Sequence, residues 1–239
     1  MGTPEQPEPG RITSLGCLYG ECASGINHEL AVIGRRALIG GALALPVAAW
    51  AGQARRVAAL NWEGVAEFVS RAQELSIHVK TRVEPFVPRA RSETWLIGRD
   101  PRDVRTLIVE GDKGWMERGG ARTPLPAAQG HHENQQYAIY GFLVMAAQRK
   151  DSGKGLRLNR ADCWPFEYDA ADGRVTAATY TVDAPDGNGS IAETIRCSDW
   201  RDVSGLSWPH KLVIEQRPST GAGNSIFSLT LDTMTAEFA

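Results

Sequence analysis

His132-Glu133-Asn134-Gln135-Gln136-Tyr137-Ala138-Ile139-Tyr140-Gly141-Phe142-Leu143-Val144-Met145-Ala146-Ala147-Gln148-Arg149 is the segment around which the rest of the chain organises. Its centre, Ala138 to Ala147, is the longest apolar run beyond residue 52. Glu133 lies upstream of that run and Arg149-Lys150 just past it, an order that suits a helix dipole, so the segment predicts a helix over 132–149. The apolar residues surround the helical axis instead of forming one stripe. A helix of that kind has to be covered on most sides, by protein or by a ligand.

On either side of this helix the sequence reads as strand and turn. Leu75, Ile77, Val79, Thr81 and Val83 alternate with Ser76, His78, Lys80, Arg82 and Glu84, which predicts a strand with one buried and one wet face. Further strands are expected over 90–98, 103–110 and 113–118, the last two joined by turn chemistry in Glu110-Gly111-Asp112-Lys113-Gly114. Pro124-Leu125-Pro126 then interrupts the sheet. After the helix, Asp169-Ala170-Ala171-Asp172-Gly173 and the loop from Asp183 to Ser190 flank a strand over 174–182. Both loops lack the terminal Glu spacing of a calcium site and are read as turns. Alternation in Ile191, Glu193, Ile195 and Cys197, in Leu212 and Ile214, and in Phe227, Leu229 and Leu231 makes the C-terminal half a meander of about four strands. Residues 59–73, with Leu60, Val65, Phe68, Val69 and Ala72 near helical spacing, predict a short first helix.

The N-terminal part has a different character. Arg35-Arg36 is followed by Ala37 to Ala51, a stretch without charge that ends in Ala49-Trp50-Ala51. Basic residues, a short apolar run and a small-x-small site describe a secretory signal peptide over 35–51, and the paired arginines resemble a twin-arginine signal. As a core helix the run would be weakened by Gly40-Gly41 and Pro46, and it is too short to span a bilayer. Residues 1–34, rich in Pro, Gly and Glu, form a disordered leader, and 52–239 one exported domain. Cleavage removes Cys17 and Cys22, leaving Cys163 and Cys197. In an oxidising compartment these two are either a disulfide closing a loop of about 35 residues, worth roughly 4 kcal/mol, or two buried thiols.

The whole chain has 239 residues, 42% hydrophobic and 23% charged, with a formal net charge of -2. Such a balance lacks the basic face that nucleic-acid binding requires. No Gly-x-Ser-x-Gly is present, Gly153-Lys154-Gly155 lacks the remainder of a phosphate loop, and the histidines at 28, 78, 131, 132 and 210 do not sit at metal-ligand spacing. His131-His132 and Glu133 are read as leading into the helix. No enzymatic activity, metal or cofactor is expected. The tryptophans at 95, 115, 164, 200 and 208 are read chiefly as core or hairpin packing.

Two runs carry a family resemblance. Glu110-Gly111-Asp112-Lys113-Gly114-Trp115 resembles an aspartate-glycine-tryptophan hairpin, and Asp199-Trp200-Arg201-Asp202-Val203-Ser204-Gly205-Leu206-Ser207-Trp208-Pro209-His210 resembles a strand, turn and aromatic-proline strand start. With many strands, one enclosed helix and an export signal, the chain resembles the lipoprotein-carrier (LolA-like) superfamily over about residues 60–239. The resemblance implies an α+β fold, a strongly bent antiparallel sheet or half-barrel with helices closing its concave side, and an apolar cavity between them. It implies a periplasmic, non-enzymatic protein that binds an apolar or lipid-like ligand, or a lipidated partner. The alternatives are a sensor or scaffold holding a segment of a membrane protein and, with no motif behind it, an uncharacterised hydrolase. Tyr137, Phe142 and Met145 are expected to face the cavity, with Trp95 opposite them.

Overall fold

The structure, a computed structural model, describes residues 55–98, 103–157, 165–221 and 223–239. The leader, the signal segment with Arg35 and Arg36, Cys163 and Trp164 lie outside the described residues.

Six strands precede the helix: β1 (Val57–Val69), β2 (Glu74–Glu84), β3 (Arg89–Leu96), β4 (Arg105–Glu110), β5 (Lys113–Arg118) and β6 (Ala121–Pro124). The helix α1 spans Ala127–Arg149. Six more follow: β7 (Gly153–Arg157), β8 (Phe166–Ala171), β9 (Arg174–Asp183), β10 (Ser190–Val203), β11 (Leu206–Pro218) and β12 (Ser225–Phe238). All belong to one antiparallel sheet in the order β6-β5-β4-β3-β2-β1-β12-β11-β10-β9-β8-β7. Each half is a meander, and the two join where the first strand pairs with the last. The chain must therefore pass from the edge strand β6 to the opposite edge strand β7, and α1 makes that crossing.

Contacts at one turn of α1 show how far the sheet curls. Gly130 packs on the β4–β5 hairpin so closely that a Cβ there would stand 3.0 Å from Asp112 O and 3.2 Å from Gly114 N. The next residue, His131, places Nε2 3.0 Å from Asp183 Oδ2 at the end of β9. In the strand order β5 and β9 stand far apart, and on a flat sheet with strands about 4.8 Å apart they would be separated by roughly 38 Å. Neighbouring helix residues touch both, so the sheet bends around α1 as a half-barrel.

That enclosure covers a helix with apolar residues on all sides: Ala138, Ile139, Phe142, Leu143, Val144 and Ala146 are all buried. α1 begins earlier than the sequence suggests, at Ala127 after Pro126, with no side-chain cap and no acid in its first turn. Glu133 and His132 therefore lie inside the helix, both with no exposed surface, instead of leading into it. Among the described residues α1 is the single helix, where several had been expected, and it is not long and apolar enough to cross a membrane.

The expected first helix is a strand. Leu60, Trp62, Ala66 and Phe68 of β1 point inward on a period of two, and β1 is hydrogen-bonded to β2 on one side and β12 on the other. Leu60 and Phe68 satisfy both periods over so short a run, whereas Val65 fits only the helical one and is half-buried in the strand, and the ladder settles which period holds. The C-terminal meander has six strands, two more than expected. Turn readings at Gly111-Asp112, Asp172-Gly173 and 184–189 coincide with the β4–β5, β8–β9 and β9–β10 connections.

Cys197, inward-facing on β10, is a buried free thiol whose pKa burial pushes up to about 12. A raised thiol pKa stabilises the fold fully below the unfolded value, near 9, and that contribution fades as pH rises from there towards 12. In reduced protein at pH 8, Cys197 should resist alkylation by iodoacetamide while the urea-unfolded chain reacts, as peptide mass spectrometry will read. A non-reducing digest of the native protein tests its pairing with Cys163.

Candidate functional site

The first half of α1 and the middle strands enclose a cavity. Trp62 of β1, Val79 and Thr81 of β2, Ile214 and Gln216 of β11, and Phe227 and Leu229 of β12 form its floor. Its roof is the α1 face carrying Glu133, Gln136, Tyr137, Ile139 and Tyr140, and its far wall is Tyr180 and Glu193. The wall is largely aromatic and aliphatic. Tyr140 packs its ring 4.7 Å from Trp62, 6.0 Å from Tyr137 and 6.4 Å from Trp208.

Into this apolar wall the fold sets a few fixed polar groups. Glu193 stands on the inward face of β10 between Ile191 and Ile195, with no exposed surface. Gln136 Nε2 and Gln216 Nε2 both donate to its Oε1, at 2.6 and 2.7 Å, and Ser225 Oγ donates to Gln216 Oε1 at 2.9 Å. Burial holds the Tyr137, Tyr140 and Tyr180 phenols well above their ordinary pKa, reinforced at Tyr137 by Glu133 and at Tyr180 by Glu193. All three therefore remain O–H groups at any physiological pH. The cavity offers apolar contact with a small number of oriented hydrogen-bonding groups, which is the usual make-up of a site for a small apolar ligand.

It is also narrow. Its free volume is about 40 Å3, where one water needs about 10–15 Å3. A chain-like ligand exceeds that volume while α1 lies against the sheet. The helix is tethered there by Asp183, whose backbone N–H donates to Gln135 Oε1 at 2.7 Å and whose carbonyl lies 2.7 Å from His132 Nδ1. Gln135 is almost fully buried, so Gln135→Ala leaves the Asp183 N–H without an acceptor. That substitution should lower stability by about 2 kcal/mol in urea denaturation.

Of the four residues expected at a ligand site, the structure brings one to the cavity. Tyr137 lines it. Phe142, with no exposed surface, stacks 5.0 Å from Phe166 and 5.1 Å from Tyr168 in the core beyond it, and Met145 is half-buried and does not line it. Trp95 stands on the other face of the sheet. It pairs with His78 across the β2–β3 ladder and their rings stack at 5.2 Å, whereas Ser92 and Thr81 of the same strands point inward and hydrogen-bond at 2.8 Å. That outer face is charged: Arg82, Arg89 and Arg91 pair with Glu237, Glu84 and Glu93. Trp62, Tyr140, Tyr180, Glu193 and Gln216 were missed. For Glu193 and Gln216 the signal was present, since each is a polar residue in the apolar phase of an alternating strand. Among the described residues no group of His, Cys, Asp and Glu could hold a metal ion.

No family model matches the chain, and no curated protein matches it. Among solved structures it is similar to a LolA superfamily protein from Nitrosomonas europaea, with 10% identity, 76% of this chain and 87% of that chain covered and a TM-score of 0.42. It is also similar to an outer membrane lipoprotein-sorting protein domain from Vibrio parahaemolyticus, with 8% identity, 75% and 85% covered and a TM-score of 0.45. A DUF1329 family protein from Desulfovibrio piger gives 9% identity, 76% and 86% covered and a TM-score of 0.43. The superfamily expected from the sequence is thus among the structures this chain resembles. At such identities and TM-scores the likeness says nothing about ligand or partner, and the functional reading rests on the cavity itself.

Proposed function

We propose that the chain is an exported, periplasmic, non-enzymatic binding protein that takes an apolar, lipid-like ligand, or the acyl chain of a lipidated partner, between α1 and the concave face of the sheet. The observation that carries this reading is the cavity: an aromatic and aliphatic space under the one element that crosses the sheet, held by a few hydrogen bonds that a ligand could replace. α1 acts as the lid in this reading. Its enclosed face gives up contact with Trp62, Phe227 and Leu229 and regains it with the ligand's hydrocarbon, so apolar area stays out of water in both states.

Protein purified from its native envelope should carry co-purifying lipid detectable by mass spectrometry, and delipidated protein should take up a fluorescent fatty-acid probe with quenching of tryptophan emission. Absence of both sinks the proposal. Export is tested separately: the envelope fraction should yield an N-terminus near Gly52, and Arg35→Lys with Arg36→Lys should retain the precursor in the cytoplasm if the twin-arginine route is used.

A further inference from the structure

Among the buried polar atoms of the residues that line this cavity, Trp62 Nε1 and Glu193 Oε2 are a donor and an acceptor that both lack a hydrogen-bond partner. Trp62, only 3% exposed, has an indole Nε1–H that finds no acceptor, and Glu193, 0% exposed, has an Oε2 that finds no partner, both neighbouring amides going to Oε1, with the Tyr180 phenol as the carboxylate's further neighbour. Both line the same space. Tyr140 links them, packing on the Trp62 ring while its phenol feels the Glu193 carboxylate. Buried groups left in this way are costly, so an occupant that satisfies both gains over one that satisfies neither.

Resting on the reading above, we infer that the cavity selects a neutral amphiphile whose hydroxyl group is buried between Trp62 Nε1 and Glu193 Oε2. The chemistry separates the candidate head groups. An indole N–H donates only, so its partner must accept. A carboxylate oxygen accepts, so its partner must donate. A hydroxyl does both at once, and it pairs with Oε2 whether that oxygen carries a proton or not. An alkylammonium can serve Glu193 but has nothing to offer Trp62. A fatty-acid carboxylate can serve Trp62 but meets Glu193 and Glu133 in the same wall. A plain alkane leaves both atoms as they are.

The test is a calorimetric titration of the purified protein with dodecanol, dodecane, dodecanoate and dodecylammonium at pH 7 and equal salt. Dodecanol should bind at least about tenfold more tightly than each of the other three. Trp62→Phe, which removes the N–H together with the five-membered ring, should cut the dodecanol advantage over dodecane to a few-fold, the ratio of the two affinities being the readout because the lost ring weakens both. Glu193→Gln, which keeps hydrogen bonding and removes the charge, should narrow the gap between dodecanol and dodecanoate. Equal binding of all four, or tightest binding of dodecanoate or dodecylammonium, overturns the inference and leaves the apolar-ligand reading standing. Binding of none overturns both.

Discussion

Phe142→Ala is expected to lower the free energy of unfolding by about 3–5 kcal/mol, with little effect on ligand affinity. The ring has no exposed surface, lies 5.0 Å from Phe166 at an interplanar angle of 7°, and meets Tyr168 at 5.1 Å. Phe166 in turn packs 4.9 Å from Tyr180. This aromatic stack clamps the second half of α1 to β8 and β9, so truncation removes transfer energy and also leaves a cavity that the surrounding rigid rings cannot collapse to fill. The urea midpoint should fall sharply with an unchanged slope, since the surface exposed on unfolding is nearly the same. Had Phe142 faced a ligand, as its place in the apolar run suggests, truncation would weaken binding and cost the fold much less. A variant of near-normal stability with impaired uptake would move the site to the C-terminal half of the helix.

The sequence was most legible where the information is local. Alternation over 75–83 marked β2, Gly111-Asp112 marked a hairpin, and the all-round apolar run marked a helix that must be enclosed. What it could not mark was set by partners far along the chain. β1 shares apolar positions with a helical pattern, and only β12, its partner from the other end of the sequence, fixes its period. β6 is a fully exposed edge strand of four residues with no apolar phase to read. Trp95 shows the same dependence on register: the β2–β3 pairing puts it beside His78 on the charged face, one residue away from the inward phase. Trp62 was lost with β1, and with it the unpartnered indole donor of the cavity wall. Glu193, by contrast, was visible as an acid among Ile191, Ile195 and Cys197, and a charge in that position on an apolar face is a site hypothesis in its own right.

Gly64→Ala should cost about 3 kcal/mol or more, and Gly64→Val should prevent folding. The reason is space, not dihedral freedom. A Cβ on Gly64 would stand 2.2 Å from Thr230 O and 3.0 Å from Leu231 Cα, and both are backbone atoms of β12 that no rotamer change can move aside. Gly64 also sits where the β1–β12 register slips, with Glu63 opposite Thr233 and Gly64 opposite Leu231, so the strands approach closely beside an unpaired Asp232. This pairing is the seam between the two meanders. Pushing β12 away therefore disrupts the ladder that holds the halves together and spreads the floor of the cavity at Trp62 and Leu229. Hydrogen exchange should show protection lost along β1 and β12 before β9 and β10. Ala58→Ser, on the exposed face of the same strand, should stay within about 0.5 kcal/mol of the parent and serve as the control. If Gly64→Ala unfolds at the parent's urea midpoint, β12 does not approach β1 as described, and the placement of Trp62 over the cavity falls with it.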